Sequence, residues 1–283
     1  MEKIMIKQKA TIKKELSFSG VGIHSGQNVE CTLRPSRSGE ILFLVKDGDG
    51  SPMRVDPLQV ESKSSSILAD GQQQIHTVEH LLSALYVFGV DSVDIELIGN
   101  EIPIMDGSAF PIANALEECG IQTLPEKKIF LKITKPFVVQ EKDASVSVEP
   151  AQEFKISYTI EFDHPLIQKQ ALDVVVNKQD FLKKIAPART FGFLKDVERL
   201  WAQGLAMGGS LDNAIVLDEA GVVNGPLRFD DEFVRHKVLD FIGDLSLLGY
   251  PLYGYFKAFK AGHSMHLKVV RFLIDNPDHY TLF

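Results

Sequence analysis

Cysteine is scarce in this 283-residue chain: Cys31 and Cys119 are its whole complement, and neither has a second thiol at Cys-x-x-Cys spacing. Two thiols make neither a disulfide framework nor a sulfur-ligated metal site, so reduced, buried cysteines in a cytoplasmic protein are expected. Long apolar runs are also missing. The longest uncharged apolar stretch, 245–256, contains Pro251 and is too short to cross a bilayer. The first residues, Met1-Glu-Lys-Ile-Met-Ile-Lys7, lack the apolar core of a signal peptide. Basic residues are outnumbered, 30 to 38, for a net charge of −8, and no basic stripe is present. Binding to a nucleic-acid backbone is therefore disfavoured. What is expected is a soluble monomer without stable membrane insertion.

Hydrophobic content of 45% and charged content of 24% are those of a globular protein, and the length suits two ordinary domains. Short alternating runs at 11–18, 29–33 and 40–45 read as antiparallel strands, and Gly20-Val-Gly22 reads as a hairpin turn. A helix is predicted over 77–88, stopped by Gly89, then a strand over 93–98 and a helix over 109–119 closed by Gly120. The polar stretch 122–128, with Pro125, reads as a connector. It divides the chain into an N-terminal α+β domain, 1–124, and a C-terminal one, 125–283. Strands resume at 129–140, 144–149 and 154–162. Helices follow at 178–185 and 234–248, then a strand at 252–257 and a closing helix at 264–275. Residues 194–227 have no counterpart in the first half and read as an insertion.

Two distant segments share one register. His76-Thr-Val-Glu79-His80-Leu-Leu-Ser-Ala-Leu85-Tyr-Val-Phe-Gly89 and His236-Lys237-Val-Leu-Asp240-Phe-Ile-Gly-Asp244-Leu245-Ser-Leu-Leu-Gly249 align with 236−76, 240−80, 245−85 and 249−89 all equal to 160. Each carries two potential metal ligands four residues apart, a spacing that puts both on one helix face. Four candidates result: His76, His80, His236 and Asp240. A catalytic zinc takes three protein ligands and keeps a fourth position open, so one of the four is surplus. Glu79 adjoins a ligand and is placed to act as general base. The segment His76–His80 also fits His-x-x-Glu-His, the pattern of inverted zinc peptidases, in which both histidines bind metal. A third reading is a non-enzymatic acyl-nucleotide- or lipid-binding module whose metal is only structural.

Further candidates lie in the second half. His263 follows a glycine where a strand turns into a helix, a corner that exposes an imidazole for general acid work, and Asp244 could orient it. His266 reads as a helix-surface residue without a role. Thr190 offers a hydroxyl for an oxyanion between the apolar Phe191 and Phe193, although core packing is the default for the two phenylalanines. Lys237 and Lys260 could neutralise phosphate. The apolar insertion beside a polar site would suit an amphiphilic substrate with an acyl chain.

These segments resemble one known family. They are Gly20-Val-Gly-Ile-His24-Ser-Gly26, Thr77-Val-Glu79-His80-Leu81, Glu101-Ile-Pro-Ile-Met-Asp-Gly-Ser108, Phe162-Asp-His-Pro165 and Ala188-Arg-Thr190-Phe-Gly-Phe193. Gly208-Gly-Ser210, Arg228-Phe229, Val234-Arg-His236-Lys-Val-Leu-Asp240, Gly243-Asp244 and Gly262-His263 continue the series. In this order they resemble the zinc-dependent UDP-3-O-acyl-N-acetylglucosamine deacetylases of lipid A biosynthesis. The resemblance implies two α+β domains of like topology with the active site between them. It implies Zn²⁺, or Fe²⁺ on the same ligands, held by His80, His236 and Asp240, with Glu79 as base. His263 would be the acid or an electrostatic stabiliser of the intermediate, oriented by Asp244, and Thr190 would assist at the oxyanion. Lys237, Phe191, Phe193, Lys260 and Phe162 would contact the UDP-3-O-acyl-N-acetylglucosamine substrate, and the segment near 190–227 would take its acyl chain. His76 falls where the family requires no ligand.

Overall fold

The computed structural model describes residues 8–48, 50–62, 65–70 and 73–283. In the first half, strands β1 (Leu16–Val21), β2 (Asn28–Pro35), β3 (Ile41–Val45) and β4 (Pro52–Arg54) precede helix α1 (Glu79–Phe88). Strand β5 (Val93–Ile98) and helix α2 (Phe110–Cys119) follow. The sheet order is β1-β2-β5-β3-β4, antiparallel throughout except for the parallel pair β3 and β5.

The second half repeats this plan. Its strands are β6 (Phe137–Glu141), β7 (Ala144–Glu149), β8 (Phe154–Phe162) and β9 (Gln168–Val175). Helix α3 (Glu232–Ser246), strand β10 (Leu252–Phe259) and helix α4 (His263–Asp275) complete it. The corresponding path is β6-β7-β10-β8-β9, and the one parallel pair within it is again the equivalent one, β8 with β10. Adding 160 to the bounds of β5 gives 253–258, inside β10. The α+β fold with like halves is thus present strand for strand.

Each sheet buries one face. Along β10 the residues alternate buried and half-buried, as a period of two requires when helices cover one side. Helices α1 and α3 pack on each other, and one continuous apolar core joins Leu33, Leu81 and Ile95 to Ile156, Phe241 and Phe256. Cys31 in β2 and Cys119 at the end of α2 are buried free thiols, and burial pushes Cys31 up to about 12. Among the described residues no helix is long and apolar enough to cross a membrane.

Four expectations are corrected. The supposed connector 122–128 lies almost wholly in strand Ile121–Lys127, which pairs antiparallel with Gln8–Ile12; an edge strand tolerates its proline and charges. Strand β9 carries no clear sequence signal, because it opens on the polar run Gln168-Lys169-Gln170 and has Asp173 within it. Helix α1 starts at Glu79 rather than at Thr77, whose φ of 58° is left-handed and cannot belong to the helix. His76 accordingly ends the strand Gln73–His76, so it does not share a helix face with His80. The 160-residue register holds at 80/240, 85/245 and 89/249 and fails at 76/236, because α3 extends a further two turns towards its N-terminus.

Candidate active site

The two halves meet through α1 and α3, and a glycine sets how closely. A Cβ on Gly243 would lie 2.2 Å from the carbonyl oxygen of Glu79, so only glycine lets α3 come this near to the first turn of α1. The contact places Glu79 and His80 beside His236 and Asp240. On α1 the glycine that ends the helix, Gly89, adopts φ 72° and returns its N–H to Leu85 and Tyr86.

His80 Nε2 lies 3.6 Å and His236 Nε2 3.4 Å from Asp240 Oδ1. The three side chains form a buried donor group suited to a metal ion. Asp240 Oδ1 is one of two buried side-chain polar atoms without a hydrogen-bond partner among the described residues. An unpartnered carboxylate oxygen at this depth is costly unless a cation faces it. Its lone pairs converge with those of the histidines. Metal–ligand bonds of about 2.0–2.2 Å give a tetrahedral edge of about 3.3–3.6 Å, matching both separations. His236 Nδ1 donates to the carbonyl of Ala188 at 3.0 Å, which leaves Nε2 as the lone-pair atom. Burial lowers His236 to about 3 and keeps it neutral. Asp240 is pushed up by burial, yet His236 and Lys237 outweigh this and hold it well below the usual carboxylate range. The Lys237 ammonium donates to Asp240 Oδ2 at 2.9 Å. The converging donors, the unpartnered Asp240 oxygen, the neutral His236 and the ionised Asp240 fit a bound divalent ion. The inverted-peptidase arrangement does not fit: it requires His76 on the same ion, and among the described residues His80 converges with His236 and Asp240 but not with His76.

Glu79 and His263 flank this group, with Glu79 Oε1 3.8 Å from His263 Nε2 and Asp240 Oδ2 3.7 Å from the same nitrogen. Burial raises the Glu79 carboxyl to about 7 against the pull of His263 and His80. Its other oxygen accepts the backbone N–H of Ser66 at 3.1 Å. Burial works against a charged His263, but Asp244, accepting from Nδ1 at 2.7 Å, outweighs it and raises the imidazole to about 9. Two groups with such separated proton affinities, facing one point, divide naturally into base and acid. Asp244 is fully buried and also accepts from Ser66 Oγ and from His266 Nδ1, the latter at 2.7 Å. Burial pushes it up, His263 and His266 outweigh that, and it rests at about 2. The surface reading of His266 is therefore corrected: it is fully buried, packed against Phe241 with ring centroids 4.5 Å apart.

These groups open onto a cavity of about 400 Å³. Thr190, Phe191 and Phe193 line it, as do Leu194, Val197 and Leu200 of the insertion. Phe162 stands behind this wall, its ring centroid 5.7 Å from that of Phe191 and 5.8 Å from that of Phe193. Lys237 reaches the cavity with its ammonium 5.7 Å from the Phe191 ring. Lys260 is not among the lining residues; its ammonium pairs with Asp143 and Glu161.

Three supporting carboxylates and histidines were not singled out from the chain. Buried Glu101 accepts from the N–H groups of His24 and Ser25 and from Thr77 Oγ1, each at 2.9 Å. It thus holds the strained Thr77 two residues before Glu79. Buried Glu232 opens α3 and grips Arg189 through its backbone N–H at 3.0 Å and its Nε at 2.9 Å, fixing the chain next to Thr190. His24 Nδ1 accepts from the N–H of Ala206, fastening the insertion to the first half. Glu101 and His24 belong to quoted motifs; Glu232 lies two residues before the helix predicted at 234–248, and nothing in the sequence marks it.

A sequence profile described as UDP-3-O-acyl N-acetylglycosamine deacetylase (LpxC) matches residues 9–275. A UDP-3-O-acyl-N-acetylglucosamine deacetylase of Thermodesulfovibrio yellowstonii is 48% identical over 266 residues, 94% of this chain and 91% of that protein. Those of Myxococcus xanthus and Acidithiobacillus ferrooxidans are each 44% identical, covering 96% and 97% of this chain and 88% and 92% of their own lengths. With a near-complete profile match, this level of identity and a buried His/Asp donor group between two like halves, the chain belongs to the UDP-3-O-acyl N-acetylglycosamine deacetylase family.

Proposed function

We propose that this protein hydrolyses the N-acetyl group of UDP-3-O-acyl-N-acetylglucosamine, releasing acetate and UDP-3-O-acyl-glucosamine for lipid A synthesis. His80, His236 and Asp240 would hold the metal, which we take to be Zn²⁺, with Fe²⁺ accepted by the same donors. When bound, such an ion supplies a Lewis acid beside the amide carbonyl and makes water more acidic. Glu79 takes the proton of the attacking water. Negative charge then develops on the amide oxygen, where Thr190 donates a hydrogen bond and the His263 imidazolium supplies positive charge. His263 passes its Nε2 proton to the departing nitrogen, and Asp244 keeps the ring oriented throughout. An amide needs this second partner because its nitrogen would otherwise have to leave as a strongly basic anion rather than as a neutral amine.

Lys237 supports the substrate at the cavity mouth, and Phe191 and Phe193 form an apolar wall backed by Phe162. Leu194, Val197 and Leu200 make the insertion a greasy channel for the acyl chain. Lys260, outside the lining and just past the end of the central strand β10, would meet the substrate where the diphosphate extends beyond the cavity. The observation that carries the reading is the approach of Glu79 and His263 to 3.8 Å beside the His80, His236 and Asp240 donors. The test is acetate release from the acylated UDP-sugar with and without chelator. Chelator-sensitive release is expected; tight binding of the sugar nucleotide without release from metal-replete protein would overturn the reading.

A further inference from the structure

His263 is held from two directions by residues that carry no step of the reaction. Asp244 Oδ2 accepts two imidazole N–H donors at 2.7 Å, one from His263 Nδ1 and one from His266 Nδ1. His263 and His266 lie three apart on α4, so both rings present to the same carboxylate on α3. On its far side, His266 Nε2 is 2.7 Å from Tyr158 Oη in β8, and Tyr158 Oη donates to the carbonyl of Ala261 at 2.8 Å. Ala261 stands two residues before His263, where the chain enters α4. Asp244, His266 and Tyr158 are all fully buried. The second sheet therefore reaches His263 twice, through the backbone at Ala261 and through the side-chain relay Tyr158–His266–Asp244.

We propose that His266, backed by Tyr158, is a positioning residue of the deacetylation reaction, fixing the Asp244 carboxylate so that His263 Nε2 stays aimed at the Glu79 and Asp240 oxygens. The inference rests on the deacetylase reading above. With only Ser66 and His263 as partners, the Asp244 carboxylate could pivot about its contact with Ser66 and carry the His263 ring with it. A displacement of a fraction of an ångström in the acid costs turnover more than binding, because the substrate is gripped elsewhere in the cavity.

Side-chain length separates the two contacts of His266. Asparagine can place an amide N–H where Nδ1 stands and keep the bond to Asp244. Glutamine reaches the position of Nε2, so it keeps Tyr158 and loses Asp244. Phenylalanine fills the ring volume and makes neither bond, while Tyr158 still has the Ala261 carbonyl. The experiment compares His266→Asn, His266→Gln and His266→Phe with wild type in steady-state acetate release, with metal content and thermal midpoint measured on each. Expected are a kcat within threefold of wild type for Asn and a kcat at least tenfold lower for Gln and Phe. KM should stay within threefold and metal content should not change. Equal kcat in all three variants, Asn as impaired as Gln, or losses that track metal or thermal stability would overturn the proposal. Should the Gln variant not fold, the Asn and Phe pair carries the same comparison. Failure of the underlying reading would look different: wild type itself would release no acetate in a chelator-sensitive way.

Discussion

Gly243 faces the carbonyl oxygen of Glu79 with no room for a side chain, since a Cβ would come within 2.2 Å of that oxygen. Neither partner can swing aside, because both are helix backbone. Gly243→Ala should push α3 away from α1 and separate His236 and Asp240 from His80. A cost of about 1–3 kcal/mol in stability is expected from overpacking of this kind. Metal affinity should fall at least tenfold, read by competition with a chromogenic chelator. A variant as stable and as tight for metal as wild type would remove the helix approach from the account of the site.

Metal retention distinguishes ligands from their neighbours. His80→Ala and Asp240→Ala should purify without stoichiometric metal, whereas His76→Ala should retain it. Elemental analysis after dialysis checks this directly. The distinction follows from Thr77, whose left-handed φ of 58° ends the strand carrying His76 and turns the chain before α1 begins.

The pH profile follows from Glu79 at about 7 and His263 at about 9. Glu79 works as a base only when ionised, so activity should rise with pH through its titration. His263 works as an acid only when protonated, so activity should fall as it loses its proton. A bound cation next to both groups favours their less positive forms, which moves each limb to or below these values. A bell in kcat/KM with limbs no higher than about 7 and about 9 is expected. Glu79→Gln should keep the metal and lower kcat by about 10²–10⁴-fold, the usual worth of a general base. A flat profile from pH 5 to 10 would deny both roles.

Glu101 offers a test of the scaffold rather than of the chemistry. Its carboxylate satisfies three donors, two on the 22–26 loop and one on Thr77. Glu101→Ala leaves them without it and should destabilise the protein by about 2–4 kcal/mol. Denaturant unfolding measures the loss, and kcat should drop with it as Thr77 relaxes ahead of Glu79. Gly22→Ala should act on the same contact, because its Cβ would meet Glu101 Oε2 at 2.2 Å.

The internal repeat was readable in the chain because helix periodicity and terminal glycines are local properties. Leu85 and Leu245 are both buried, and Gly89 and Gly249 both take a left-handed φ, of 72° and 75°. Candidate donors were readable as well, since His80, His236 and Asp240 are among the four residues whose types and spacing suit a divalent ion. Local pattern could not show that His76 is cut off from α1, because that depends on Glu101, 24 residues away, bonding to Thr77. Nor could it show His266 as buried: its partners Asp244 and Tyr158 lie 22 and 108 residues away. Residue identity along a helix states which groups are available and at what spacing. Which of them lose water, and therefore which must find partners or change their proton affinity, is settled only where elements distant in the chain close on one another.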